Sequence, residues 1–397
     1  MPSRFRAYLF SVSALIFFAI FAALIARTLT ASAAPKEEMT PLLLSVQDAP
    51  IPFTGSDSSI HLAYELLLTN FSSGDVTLEK VEILADGSEL QTLDAKEIAA
   101  RLQPIGTREP TSTLAKSTQA LLFIHLQLPE GKRRPRELTH RVTARFAAAP
   151  PGHQEITAAG GTIAVDNRAV AVIGPPLHGT GYISADSCCD AVRHTRATLP
   201  INGRFWLAQR YAVDWEQVNE QGRIYRGPRE KVESYNIFGK EAIAVADATV
   251  ASTTDGAQEG TPGQYPTAID PADADGNAVI LDLGQHRYAM YAHLQPGSIK
   301  VHQGDKVKTG QVLGLVGNTG NSLVPHLHFQ LMDQPSSLAS NGLPYEIDSF
   351  EVTARVTSTA AFDQAEADGS PIPHVLLTPP LHPKKALPLD QLIINFR

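Results

Sequence analysis

The chain has 397 residues, 43% of them hydrophobic and 19% charged, with 33 Lys and Arg against 41 Asp and Glu for a net charge of -8. That length fits about two to three domains with sizeable cores, and an acidic balance without a long basic block excludes nucleic-acid binding as the main task. Cys188 and Cys189 are the only cysteines, which excludes a disulfide framework and a cysteine-based structural zinc site.

Arg4 and Arg6 precede an uncharged apolar stretch from Ala7 to Ala26, followed by small residues ending in Ala31-Ser32-Ala33-Ala34. Residues 1–33 read as a signal peptide cleaved after Ala33, or as an uncleaved N-terminal anchor, since about 20 apolar residues suffice to span a bilayer. Either way the remainder is expected to be exported, in the periplasm or otherwise outside the cytoplasm, with anchoring to the inner membrane as the uncleaved case.

A Pro-containing linker is expected over 34–52 and a small antiparallel β-sandwich over 53–166, with strand-like runs beginning near Leu42. Its strand candidates are IHLAYELLLTN, DVTLEKVEIL, QALLFIHLQL and HRVTARFAA, separated by turn signals such as Ser72-Ser73-Gly74-Asp75 and Asp86-Gly87. No chemical constellation is visible in it. A joint follows at Gly174-Pro175-Pro176, where paired prolines cannot continue a central strand.

The second domain is expected over 172–350, again all-β, with strand candidates AIAVA, TVAST, NAVILDLG, YAMYAHL, QVLGLVG and HLHFQLM and almost no helical periodicity. A polar, Gly/Pro/Asp-rich loop from Ala251 to Gly276 is long for a compact domain. Its Asp270, Asp273 and Asp275 do not match a known oxygen-ligand loop and read as solvated turn carboxylates. The Pro-containing tail, 351–397, is expected to be an extended segment ending in a strand, Leu392 to Phe396.

Chemistry concentrates in Pro325-His326-Leu327-His328-Phe329-Gln330-Leu331. In a strand, alternate side chains share a face, so Leu327, Phe329 and Leu331 enter a core while His326, His328 and Gln330 point together into a cleft. Neutral imidazole is a good zinc ligand and a good general base. The same period of two puts Ala289, Tyr291 and His293 on one face of YAMYAHL, the returning arm of a hairpin. Asp214 is a single carboxylate in a short apolar run, where a buried charge needs a partner or a cation.

An Asp after an apolar run, then AIAVADATV, YAHL, GDKVKTGQVLGLVGNTGNS and HLHFQL in that order, resembles the M23 zinc metallopeptidases, the lysostaphin and LytM type that cut peptidoglycan peptides. The likeness covers about His194 to Met332 and implies an antiparallel β-sandwich with an open groove. By position it implies Asp214 and His328 as zinc ligands for one Zn2+ per chain. It also implies His293 and His326 as the acid/base and oxyanion-stabilising residues, and peptidoglycan peptides as substrate. The family's first histidine ligand stands four residues before the aspartate, where this chain has Arg210, which binds no cation. His194 is the nearest upstream substitute, because loop-closure cost grows slowly with length; His178 competes but reads as a linker residue, and His286 and His302 as surface histidines.

The enzymatic expectation is a zinc-dependent endopeptidase acting through an activated water. Its alternative is a non-catalytic envelope module of the same fold that binds or activates other wall hydrolases, which Arg210 favours. GDKVKTGQVLGLVG also resembles the hairpin of biotinyl and lipoyl carriers, but the modifiable lysine turn is missing. Cys188-Cys189 suggests thiolate ligation or a nucleophile, but no base is visibly poised for it, and the pair reads as a vicinal disulfide or two packed side chains.

Overall fold

Seven strands lead the first half of the described residues, and the alternation of their side chains decides how they stack. The structure, a computed structural model, describes residues 39–396, so the expected signal peptide or anchor over 1–33 lies outside the described residues. The strands are β1 (Leu42–Val46), β2 (Ile60–Asn70), β3 (Val76–Ala85), β4 (Ser88–Asp94), β5 (Gln119–Leu128), β6 (Glu137–Phe146) and β7 (Glu155–Ala164). One sheet runs β1-β2-β5 and the other β7-β6-β3-β4, each with short flanking strands, and every pair among these seven is antiparallel. Helix α1 (Ala95–Arg101) bridges them, its start held by a capping box in which Asp94 accepts from the Glu97 amide and Glu97 returns the bond. β1 falls within 34–52, so the expected linker is corrected there: Leu42 is buried in the sandwich core and pairs with Asn70.

β2 and β5 are buried on both faces. Leu62, Tyr64, Leu66 and Leu68 fill the sandwich core together with Leu122, Ile124 and Leu126 of β5. Their alternates face the rest of the protein: Ala63 joins the second core, and Leu121 and Phe123 pack on Leu207. The inward period of two is wholly apolar, while the outward one mixes Ala63, Leu121 and Phe123 with the polar His61, Glu65 and His125.

The second half is built on one antiparallel sheet of 11 strands. Its main members are β8 (Gly179–Ala185), β9 (Val213–Gln217), β10 (Ala248–Thr254), β11 (Asn277–Asp282), β12 (Tyr288–Leu294), β13 (Leu327–Met332), β14 (Glu351–Val356), β15 (His374–Leu381) and β16 (Leu392–Phe396). They lie in the order β10-β11-β12-β13-β9-β8-β16-β14-β15. Val213, Trp215, Tyr291, Leu327, Phe329 and Leu331 project from one face into a core closed by Ala242 and Leu313, which belong to a separate two-stranded sheet of Glu241–Ile243 and Val312–Leu315. The opposite face is the floor of the candidate site. AIAVA is therefore strand only at its start, and its remainder is irregular chain in the core wall.

The C-terminal segment 351–397 is not simply extended. It contains helix α3 (Thr359–Asp368), begun by Ser358, whose side chain accepts from the Ala361 amide, and ended by Gly369 at φ 71°. Those are ordinary start and stop signals around an Ala-rich run, outweighed in the sequence reading by the prolines that follow. β16 pairs with both β8 and β14, so the tail completes the large sheet instead of trailing from it. Among the described residues no helix is long and apolar enough to cross a membrane.

Candidate metal centre

Three neighbouring strands bring the polar residues together. Asp214 on β9 lies opposite His328 on β13, and His328 lies opposite Ala292 on β12. Because Val213 and Trp215 are core residues, parity sends Asp214 and Glu216 to the other face, and the same rule sends His328 and Gln330 there. His328 Nδ1 is 2.8 Å from Asp214 Oδ1, and His328 Nε2 is 2.8 Å from Gln330 Oε1. With Nε2 engaged by Gln330, Nδ1 faces the carboxylate, and a proton or a metal cation can be shared between the two.

His194 arrives from the loop after β8. A single helical turn, α2 (Val192–Thr195), carries it, and Arg193 pins that turn by pairing with Asp186 at 2.7 Å and with Asp363 of α3 at 2.6 Å. His194 Nδ1 donates to the Asp186 carbonyl at 2.9 Å, leaving Nε2 3.3 Å from Asp214 Oδ2. The chain thus joins His194, Asp214 and His328 into one group whose ligand atoms all lie within 4.8 Å of one another. His328 approaches one oxygen of Asp214 and His194 the other, at 2.8 and 3.3 Å, so the three side chains are as close as ligands of one small ion must be. The donor set of two imidazoles and one carboxylate fits zinc with a position to spare.

His326 and His293 stand on the other side of His328. His326 Nδ1 donates to the Val324 carbonyl at 2.8 Å, and its Nε2 is 3.4 Å from Asp214 Oδ1. His293 Nδ1 donates to the Thr319 carbonyl at 2.7 Å, and the two rings lie 4.7 Å apart. Backbone carbonyls hold both rings at Nδ1, so each turns Nε2 into the cleft, that of His326 toward Asp214, where a proton can be exchanged.

His293 corrects the sequence reading. Strict alternation shares a face between Ala289, Tyr291 and His293, but Ala289 and Tyr291 are core residues. His293 escapes that face because its backbone is left-handed, φ 62°, held by its amide donating to the Asp275 carbonyl at 2.9 Å. Such a conformation costs a β-carbon residue energy and persists where its surroundings impose it. Here the Gly317-Asn318-Thr319-Gly320 turn is pressed so closely on Asp275-Gly276 that a Cβ on Gly320 would stand 2.4 Å from the Gly276 nitrogen.

Charge follows from this crowding. Burial pushes the Asp214 carboxyl up, but His194 and His326 outweigh it and hold the group well below the usual carboxylate range. Burial opposes charge on His194, yet Asp214 raises it to about 9. Asp214 likewise raises His326 against its burial. His293 moves the other way, held down by burial and by the charges of His326 and His328.

The surrounding cleft encloses about 260 Å3 and is walled by Tyr265 from the long polar loop, Arg193, and Phe362 and Glu366 of α3. Parity with Asp214 could have found Glu216; Phe362 and Glu366 carried no signal, because only the fold brings the tail here. Burial and the neighbouring Glu366 raise Glu216 well above the usual range. The other candidates are elsewhere. His178, His286 and His302 are exposed, and Cys188-Cys189 is a vicinal disulfide. Arg210, at the position of the family's first histidine, is buried and donates from Nε and Nη2 to Glu65 of β2 at 3.0 and 2.6 Å.

A β-sheet floor holding a two-histidine, one-aspartate cradle defines a candidate metallohydrolase. Residues 236–340 match the model of peptidase family M23, and the chain contains an M23 peptidase domain. That match includes His293, His326 and His328 and begins after His194 and Asp214. The glycyl-glycine endopeptidase ALE-1 of Staphylococcus capitis is 45% identical over 64 residues, 16% of this chain and 17% of that protein. The peptidoglycan DD-endopeptidase ShyA of Vibrio cholerae is 44% identical over 57 residues, 14% of this chain and 13% of that protein. An uncharacterized metalloprotease of Haemophilus influenzae is 28% identical over 178 residues, 40% of this chain and 34% of that protein. The chain thus spans only a minor part of the length of each relative. The solved catalytic domain of lysostaphin from Staphylococcus simulans is 23% identical, covering 42% of this chain and 88% of that one with a TM-score of 0.22.

Proposed function

We propose that this protein is a zinc-dependent endopeptidase that hydrolyses peptide bonds of peptidoglycan outside the cytoplasm. The observation that carries the reading is the convergence of His194 and His328 on the two oxygens of Asp214, at 3.3 and 2.8 Å, beside His293 and His326, each held at Nδ1 by a backbone carbonyl. The family match and the endopeptidase relatives support the substrate class.

In this reading His194 Nε2, Asp214 and His328 Nδ1 hold one zinc ion. The ion supplies a Lewis acid and lowers the pKa of water toward about 7. His293, kept neutral by burial and by its neighbours, accepts the proton of the attacking water at Nε2. His326, raised by Asp214, donates from Nε2 to the developing oxyanion and then to the leaving amine. The carbonyls of Thr319 and Val324 keep each ring from rotating as its proton moves.

Arg210 favours the alternative, a non-catalytic envelope module, but its ion pair with Glu65 gives it a separate structural occupation, and His194 supplies a second imidazole in its stead. The purified chain should release peptide-cleaved fragments from isolated sacculi, stop when a chelator is added and resume when zinc is restored. Absence of release by zinc-loaded, folded protein would sink the enzymatic reading.

A further inference from the structure

A second cluster of metal-ligand residues lies where the sandwich meets the segment that delivers His194. His61 of β2 and His125 of β5 stand on the outward faces of those strands. A ring nitrogen of each and Cys189 Sγ lie within 4.8 Å of one another. His61 Nε2 donates to Asp57 Oδ1 at 2.9 Å, and His125 Nδ1 donates to Asp190 Oδ2 at 2.9 Å. Each imidazole is therefore held by a carboxylate on its outer nitrogen, the arrangement that orients metal-bound histidines. Asp190 is in turn paired with Arg101 of α1. The inner nitrogens, His61 Nδ1 and His125 Nε2, are left 2.8 Å apart.

Two lone pairs at that distance repel unless a proton or a metal ion sits between them. Space for the rings has been kept: a Cβ on Gly55 would stand 2.6 Å from His61 Nε2. His61 is buried and Cys189 half-buried, so the pair is shielded on one side and approachable on the other.

We propose that His61, His125 and Cys189 form a second metal site, closed while Cys188 and Cys189 are joined and opened by reduction, taking a thiolate-preferring divalent ion such as Zn2+. A disulfide sulfur is a poor ligand, whereas a thiolate with two imidazoles suits zinc. A dithiol reductant delivers two electrons and two protons to the Cys188–Cys189 bond and becomes a disulfide itself. Cys189 then gives up its thiol proton as the metal binds. The site is independent of the catalytic reading above, since none of its three ligands belongs to the His194, Asp214 and His328 group.

The test counts metal in one protein in two redox states. The full chain, loaded with Zn2+ and freed of excess by gel filtration, should hold about one more equivalent after phosphine reduction than before it. With Co2+ in place of Zn2+, the reduced chain should gain near-ultraviolet thiolate-to-cobalt absorption, which the sulfur-free Asp214 site cannot produce. Cys188→Ser, which frees Cys189 permanently, should bind the extra ion without reductant; Cys189→Ser and His125→Ala should lose it with unchanged circular dichroism. Equal metal content in the two redox states, a gain without the charge-transfer absorption, or extra metal retained by Cys189→Ser would each overturn the proposal.

Discussion

Asp214 and His328 are direct cross-strand neighbours, and their side chains meet at 2.8 Å on the groove face of the large sheet. Neighbouring strands hold paired residues within about 5 Å at Cβ, so the backbone ladder itself fixes these two donors, and only His194 depends on a loop.

Replacing Asp214 by Asn keeps the volume and removes the charge that His194 and His328 share. Zinc affinity should fall by more than about 100-fold, beyond the usual cost of disturbing an outer partner of a metal ligand, and sacculus hydrolysis should disappear with it. Isothermal titration of the metal-free protein checks this; affinity unchanged from the parent chain would remove Asp214 from the ligand set.

His293→Ala should separate binding from chemistry. The ring hydrogen-bonds to Thr319 and belongs to no proposed zinc triad, so metal content should stay at the parent value. Turnover should drop by about 100- to 10,000-fold, the usual contribution of a positioned acid or base. Full turnover by the variant would exclude the assigned role.

Arg210→Ala should be costly for stability and leave the metal in place. It strands the Glu65 carboxylate in a contact where both side chains are under 10% exposed, and breaking a buried pair on one side costs about 3 kcal/mol or more. Replacing both by apolar residues, Arg210→Met with Glu65→Leu, should recover most of the loss. Urea midpoints of the three proteins give the comparison, and a single variant as stable as the parent would refute it.

His140 gives the sandwich a pH dependence. It is fully buried on β6, its Nε2 hydrogen-bonded to the Tyr64 hydroxyl at 2.8 Å, and burial lowers the pKa at which it takes up a proton to about 4. The unfolded chain binds this proton near pH 6.5, so between about 6.5 and 4 it holds more protons than the folded one and stability falls as pH falls. The loss attributable to this group should approach about 3 kcal/mol by pH 4, and His140→Gln should flatten the profile by that amount. Parallel curves for the two proteins from pH 7 to 4 would contradict it.

The sandwich strands and the HLH strand were legible because alternation is local: a residue's face follows from its neighbours' parity. That rule placed Leu327, Phe329 and Leu331 in the core and His326 and His328 in the groove, as found, whereas Gln330, expected in the groove too, is fully buried and bonded to His328. It failed at His293, where one left-handed residue resets the parity, and it passed over α3, whose caps were present but outweighed by the prolines after it.

By itself the sequence determined the all-β class, the two hydrophobic parities and the residues of the family motif, because those depend on contacts within a few positions. The tertiary structure alone decided that His194 reaches Asp214 across nineteen intervening residues, that Arg210 turns to Glu65, that the tail walls the cleft, and that His61 and His125 meet Cys189. Each of these is a meeting between segments distant along the chain, where loops can close in many ways at similar entropic cost and only packing of the finished layers selects one.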